Sequence, residues 1–255
     1  RHKTVELKRD RIRPNNGRVL SLLLFLRLFF RKDGAKASKN MKNILLMNKI
    51  ASCGTSLFGS EYTVSDSVAE PGGMMVRSAS LLETTFDPSL EAIARAGAGV
   101  NNIPVDRCAE EGIVVFNTPG ANANAVKELA LCALLLASRD VVGGIQWAGT
   151  LEGNELGVAK AVEKGKSAFG GCEISGKTLG IIGLGAIGRL LANAAVALGM
   201  QVVGCDPYLS DEAAKQLDPS VKRLSAFEEV YALSHYISLH VPATPPTKGM
   251  GKATS

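Results

Sequence analysis

Three glycines and one carboxylate have the spacing of a phosphate cradle. Gly183, Gly185 and Gly188 stand as GxGxxG, and Asp206 follows 18 residues after the last of them. Glycines in that pattern let a strand turn sharply, let backbone come up against a pyrophosphate, and let the next helix pack closely on the strand. A helix starting there offers unpaired N–H groups and the positive end of its dipole to an anion. An acid about 20 residues further on accepts hydrogen bonds from an adenine ribose. The same acid repels the extra phosphate of NADP, so the reading is dinucleotide binding with NAD as the cofactor.

Such a cradle needs a strand, a helix and a second strand around it. Residues 178–182 are apolar and strand-like, 189–198 read as a helix ended by Gly199, and 200–205 form a second strand that stops at Asp206. Further strands are expected at 44–47, 74–76, 92–96 and 113–116, punctuated by Gly72-Gly73, Gly97, Gly99 and Pro119-Gly120. Short apolar runs alternating with helical stretches are the pattern of parallel sheets built from βαβ units. A long helix is expected from about residue 123, with Asn122 and Asn124 able to cap it. Its core stripe is expected at Val126, Leu129, Ala130, Ala133, Leu134 and Ala137, and it is read as the connector between two domains. The segment 150–172 is polar and glycine-rich and supports no particular element.

Composition narrows the class. With 255 residues, 46% hydrophobic and 21% charged, the chain is globular, not collagenous, coiled-coil or a disulfide miniprotein. The net charge of +5 is local: residues 1–40 hold 12 Lys and Arg against 3 Asp and Glu, leaving 17 against 21 in the rest. That balance predicts neither a nucleic-acid partner nor a membrane partner. Cys53, Cys108, Cys132, Cys172 and Cys205 are scattered through apolar sequence, and His2, His235 and His240 form no ligand pair. Reduced thiols, no metal site and a cytoplasmic location are expected.

Residues 1–40 carry a basic start and an apolar run at 19–30, interrupted by Arg27 and too short to span a bilayer. Met41 looks like the natural start of an α/β protein, and residues 1–40 are expected to lie outside the fold as a basic and apolar leader.

Several segments resemble the NAD-dependent D-2-hydroxyacid dehydrogenases and, within them, the D-3-phosphoglycerate dehydrogenases. They are VRSAS at 76–80, IARAGAGVNNIPVDRCAEEGIVVFNTPGANANAVKEL at 93–129, GKTLGIIGLGAIG at 176–188 and ISLHVPATPPTKGM at 237–250. The resemblance implies a flavodoxin-like substrate domain, placed at 41–138, and a Rossmann NAD-binding domain, placed at 139–255, both incomplete on the C-terminal side. It implies an enzyme that oxidises 3-phospho-D-glycerate to 3-phosphooxypyruvate in L-serine biosynthesis and works as a homo-oligomer. The alternatives are a hydroxypyruvate or glyoxylate reductase of the same family, or a non-catalytic NAD-binding protein.

Roles follow from matching positions. Arg77 and Ser78 match the pair that meets the substrate near its phosphate, Gly99 and Val100 its carboxylate donors, with Asn102 beside them. On the cofactor side the match adds Ala186 and Ile187 near the pyrophosphate, and Asp206 and Pro207 near the adenine ribose. His240, Val241, Pro242 and Thr247 match the adenosine pocket. The family usually has an acid where this chain has His235. Its catalytic Arg, Glu and His match no position present, so no catalytic residue is assigned and the 255-residue chain alone is expected to be inactive.

Overall fold

The computed structural model describes residues 43–153, 155, 157–242, 247, 249 and 250. The leader expected at 1–40 and the start expected at Met41 lie outside the described residues, as does the side chain of Cys53. By internal contacts the chain divides between Ala121 and Asn122.

The first unit runs β1 (Asn43–Leu46), α1 (Ser52–Thr55), β2 (Thr63–Ser65), β3 (Gly73–Val76), β4 (Ala92–Arg95), α2 (Val105–Glu110) and β5 (Val114–Phe116). Its five strands are parallel in the order β2-β1-β3-β4-β5, the flavodoxin-like winding. Because side chains alternate along a strand, Met74, Val76 and Ile93 fill one face with Leu81, Phe86, Leu90 and Cys108. Met75, Ala92 and Ala94 fill the other with Ile44 and Phe116. Burial on both faces explains why β3 and β4 read as unbroken apolar runs. The edge strand β2 was not anticipated; it is three residues long and polar at both ends.

The second unit contains α3 (Ala123–Ser138), α4 (Val141–Gly149), α5 (Val158–Gly165), a 3-10 turn (Lys166–Phe169), β6 (Thr178–Ile182) and α6 (Ala186–Ala197). It continues with β7 (Gln201–Cys205), α7 (Asp211–Ala214), β8 (Lys222–Arg223), α8 (Phe227–Leu233) and β9 (Tyr236–Leu239). The sheet is parallel in the order β8-β7-β6-β9. The chain therefore leaves β6 in one direction and returns on its other side at β9, which makes β6/β9 the point where a nucleotide crevice opens in such sheets.

The long helix differs from expectation in two respects. It packs on α6 within the second unit, where Leu134 joins Leu179, Ile181, Leu191 and Val202, so the structural division precedes the helix instead of following it at 138. Its buried face is Ala123, Leu134 and Ser138 with Ala130 and Leu131 beside them, while Leu129, Ala133 and Ala137 are exposed. With leucines at 129, 131, 134, 135 and 136 the helix is apolar almost all round, and packing against α6 selects the face. Asn122 occupies the N-cap without a side-chain bond, and Asn124 bonds Glu128 instead. Among the described residues no helix is long and apolar enough to cross a membrane.

Candidate functional site: a glycine turn and two strand-end loops

Each glycine of the turn has its own physical reason. Gly183 has φ of +90°, and a Cβ there would lie 2.6 Å from the His240 carbonyl oxygen, where β9 ends beside β6. A Cβ on Gly188 would run into the Gly183 carbonyl oxygen and lie 3.1 Å from Ile181. A Cβ on Gly185 would meet nothing within 4 Å, and this residue is the N-cap of α6. Ala186 and Ile187, half-buried, form the first turn of that helix. The start of α6 is thus open, and its first N–H groups have no intrahelical acceptor.

Asp206 closes the turn from β7. Its Oδ2 accepts from the Leu184 N–H at 2.9 Å and its Oδ1 from the Tyr208 N–H at 2.9 Å. A carboxylate has about four acceptor positions, so each oxygen keeps one for a further donor. Pro207 and Tyr208 beside it are exposed, Tyr208 to 95%. The preceding Cys205 is buried, and burial together with the Asp206 charge pushes its thiol pKa up, keeping it protonated.

Across β6, the His240 N–H donates to the Ile182 carbonyl at 2.8 Å, and its Nε2 lies 2.9 Å from Ser238 Oγ. Burial pushes the His240 imidazole pKa below its ordinary value. Val241 packs on Ile182, Val203 and Cys205, Pro242 is exposed, and Thr247 Oγ1 bonds the Pro242 carbonyl. Gly183, Asp206 and the 240–242 segment therefore sit around one strand end. The open glycine, the uncapped helix start and the spare carboxylate lone pairs fit a dinucleotide. His235 has a backbone job: its Nδ1 accepts the Thr178 N–H at 3.1 Å, as a carboxylate oxygen could.

In the first unit the substrate candidates lie just beyond β3 and β4. Arg77 and Ser78 are exposed, and the N–H groups of Arg77, Ser78 and Ala79 converge on Asn48 Oδ1 at 3.0 Å each. Asn102 Nδ2 donates to the Ala79 carbonyl at 2.7 Å and leaves its buried Oδ1 without a partner among the described residues. Gly99 is exposed, Val100 half-buried, and the Arg95 guanidinium bonds the Gly99 carbonyl. Asn48 and Arg95 were not singled out from the sequence, because a polar residue after a strand has many meanings until its partners are seen. A separate cavity of about 280 Å³, lined by Leu135, Ser138, Arg139, Cys172, Ile174 and Leu198, lies where β6 begins and α6 ends, opposite the glycine turn.

Residues 145–255 match the family model described as D-isomer specific 2-hydroxyacid dehydrogenase, NAD binding domain. This part of the chain is similar to the NAD-binding domains of that family. A D-3-phosphoglycerate dehydrogenase of Mycobacterium leprae is 36% identical over 186 residues, covering 72% of this chain and 33% of that protein. One from Synechocystis is 31% identical over 236 residues, 90% of this chain and 40% of that protein. The chain thus spans roughly a third of the length of the curated relatives it matches. Among solved structures, a cofactor (NAD+) bound 3-phosphoglycerate dehydrogenase of Entamoeba histolytica superposes with TM-score 0.56 at 26% identity, over 82% of this chain and 65% of that one. A D-mandelate dehydrogenase of Rhodotorula graminis gives TM-score 0.62 at 23% identity, over 82% and 68%, which speaks for the shared fold.

Proposed function

We propose that this chain belongs to an enzyme oxidising 3-phospho-D-glycerate to 3-phosphooxypyruvate with NAD, the reaction that opens L-serine biosynthesis. The observation that carries the cofactor half is the Asp206 carboxylate held at the open glycine turn, with a lone pair left on each oxygen. NAD, when bound, would supply the hydride acceptor for this oxidation. The protein's part is to hold the two reactants: Ala186 and Ile187 N–H groups on the pyrophosphate, Asp206 and Pro207 at the ribose, and His240, Val241, Pro242 and Thr247 along the adenosine. Gly183, Gly185 and Gly188 keep that path clear of side chains.

On the substrate, Arg77 with Ser78 takes the phosphate, because a guanidinium fork donates in pairs to an anion. Gly99 and Val100 supply N–H donors to the carboxylate, and Asn102 fixes the loop beside them. The proton-accepting base and the polarising cation that the oxidation needs are assigned to no residue of this chain.

A second copy of the chain is the proposed partner. Leu129 on α3 and Ile145 on α4 are 70% and 68% exposed, with Leu136 and Val142 also open, an apolar set that suits an interface between copies. Free thiols at Cys108, Cys132, Cys172 and Cys205 support a cytoplasmic location. Calorimetric titration of the purified chain with NAD, NADP, 3-phosphoglycerate and D-glycerate tests the reading. It expects NAD over NADP and 3-phosphoglycerate over D-glycerate; equal affinity within either pair overturns the corresponding half.

A further inference from the structure

Arg77 hangs on a loop whose backbone is tied to one side chain 29 to 31 residues earlier. Asn48 follows β1, which lies beside β3, and the Met47 N–H still bonds the Met75 carbonyl at 2.9 Å. One residue later Asn48 Oδ1 takes the N–H groups of Arg77, Ser78 and Ala79 together, three donors on an oxygen with two lone pairs. Successive N–H groups converging on a point are the arrangement that elsewhere receives an anion. Here a neutral amide oxygen fills it.

We infer that Asn48 is the positioning residue for the Arg77 loop; its bearing on the substrate rests on the phosphate role proposed for Arg77. The three donors belong to residues that are exposed or half-buried, so without Asn48 water satisfies them. What is lost is the direction of the loop, not the fold. Asn102 restrains the same loop from the Ala79 carbonyl, leaving Asn48 as the tether on its donor side. A carboxylate in place of the amide would hold the three donors more strongly.

Amide hydrogen exchange of the purified chain, read residue by residue by NMR, decides the positioning. Asn48→Ala should speed exchange at Arg77, Ser78 and Ala79 by about tenfold or more and weaken 3-phosphoglycerate binding about tenfold, with NAD affinity and Tm unchanged. Asn48→Asp keeps an acceptor oxygen, so it should leave the three amides protected and 3-phosphoglycerate binding within about twofold of the parent. Unchanged exchange at all three amides in Asn48→Ala overturns the positioning role. Loss of protection at the three amides in Asn48→Asp overturns the acceptor role of the position 48 oxygen. If the parent chain does not prefer 3-phosphoglycerate to D-glycerate, the proposed substrate falls, while the exchange result, which needs no ligand, still decides the tether.

Discussion

Asp206 at the end of β7 accepts the backbone N–H of Leu184, 22 residues earlier, at 2.9 Å. The residue expected to hold the ribose is therefore also the latch of the turn proposed to receive the pyrophosphate. Its loss should do two things at once. Asp206→Ala is expected to weaken NAD binding by roughly 10- to 100-fold, since a hydrogen bond to a charged group contributes about 1.5–3 kcal/mol. Asp206→Asn keeps one acceptor oxygen and removes the charge, so it should lose less NAD affinity and narrow the gap to NADP. Fluorescence titration of both variants with both nucleotides measures this, and a wild-type NAD Kd in Asp206→Ala would remove the ribose role.

Gly185 and Gly188 are three residues apart and should fail differently. At Gly185 the added Cβ meets open space and φ is −65°, so Gly185→Ala should fold normally and lose NAD affinity by blocking the approach of the pyrophosphate. At Gly188 it meets the Gly183 carbonyl oxygen, a backbone atom that moves only if α6 shifts away from β6. Gly188→Ala should cost roughly 1–3 kcal/mol of stability, the usual range for overpacking. Urea denaturation with NAD titration separates the two, and equal stability of both variants would refute this division of labour.

The cradle was legible because its chemistry is written in local spacing: GxGxxG between a strand and a helix, with an acid closing the next strand. The strands around β3, β4, β6 and β7 were legible for a related reason, since burial on both sheet faces demands unbroken apolar runs. Long-range choices were not. The Leu134 face of α3 is selected by α6, and nothing within 123–138 distinguishes it from the Leu129 face. Strands β2 and β8, three and two residues long, exist through their neighbours' backbone groups and leave almost no side-chain pattern. Asn48 and His235 act through backbone N–H groups far along the chain, which no spacing rule announces.

His240 gives the fold a pH dependence. Burial lowers its pKa in the folded protein, so the unfolded chain takes up the proton first as pH falls. The neutral ring's contribution is present in full above the unfolded value of about 6.5 and is lost as pH drops from there toward the folded value. His240→Gln removes the titration while keeping a polar group near Ser238. Stability measured by urea denaturation at pH 7.5 and 5.5 should fall more in the parent than in His240→Gln; parallel losses would show that His240 is not the source.

The exposed apolar set on α3 and α4 offers a test that the monomer's own stability does not confuse. Leu129 and Ile145 bury little within their own chain, so replacing them with Asp removes almost no core contact. If a second copy covers them, two like charges brought onto an isologous interface repel their symmetry mates and lose water without a partner. The double variant Leu129→Asp, Ile145→Asp should then sediment as a monomer with Tm changed by only a few degrees, where the parent sediments as a dimer or larger. Parent and variant of the same mass would remove this face from the interface, and a monomeric parent would remove the oligomer as a property of this chain.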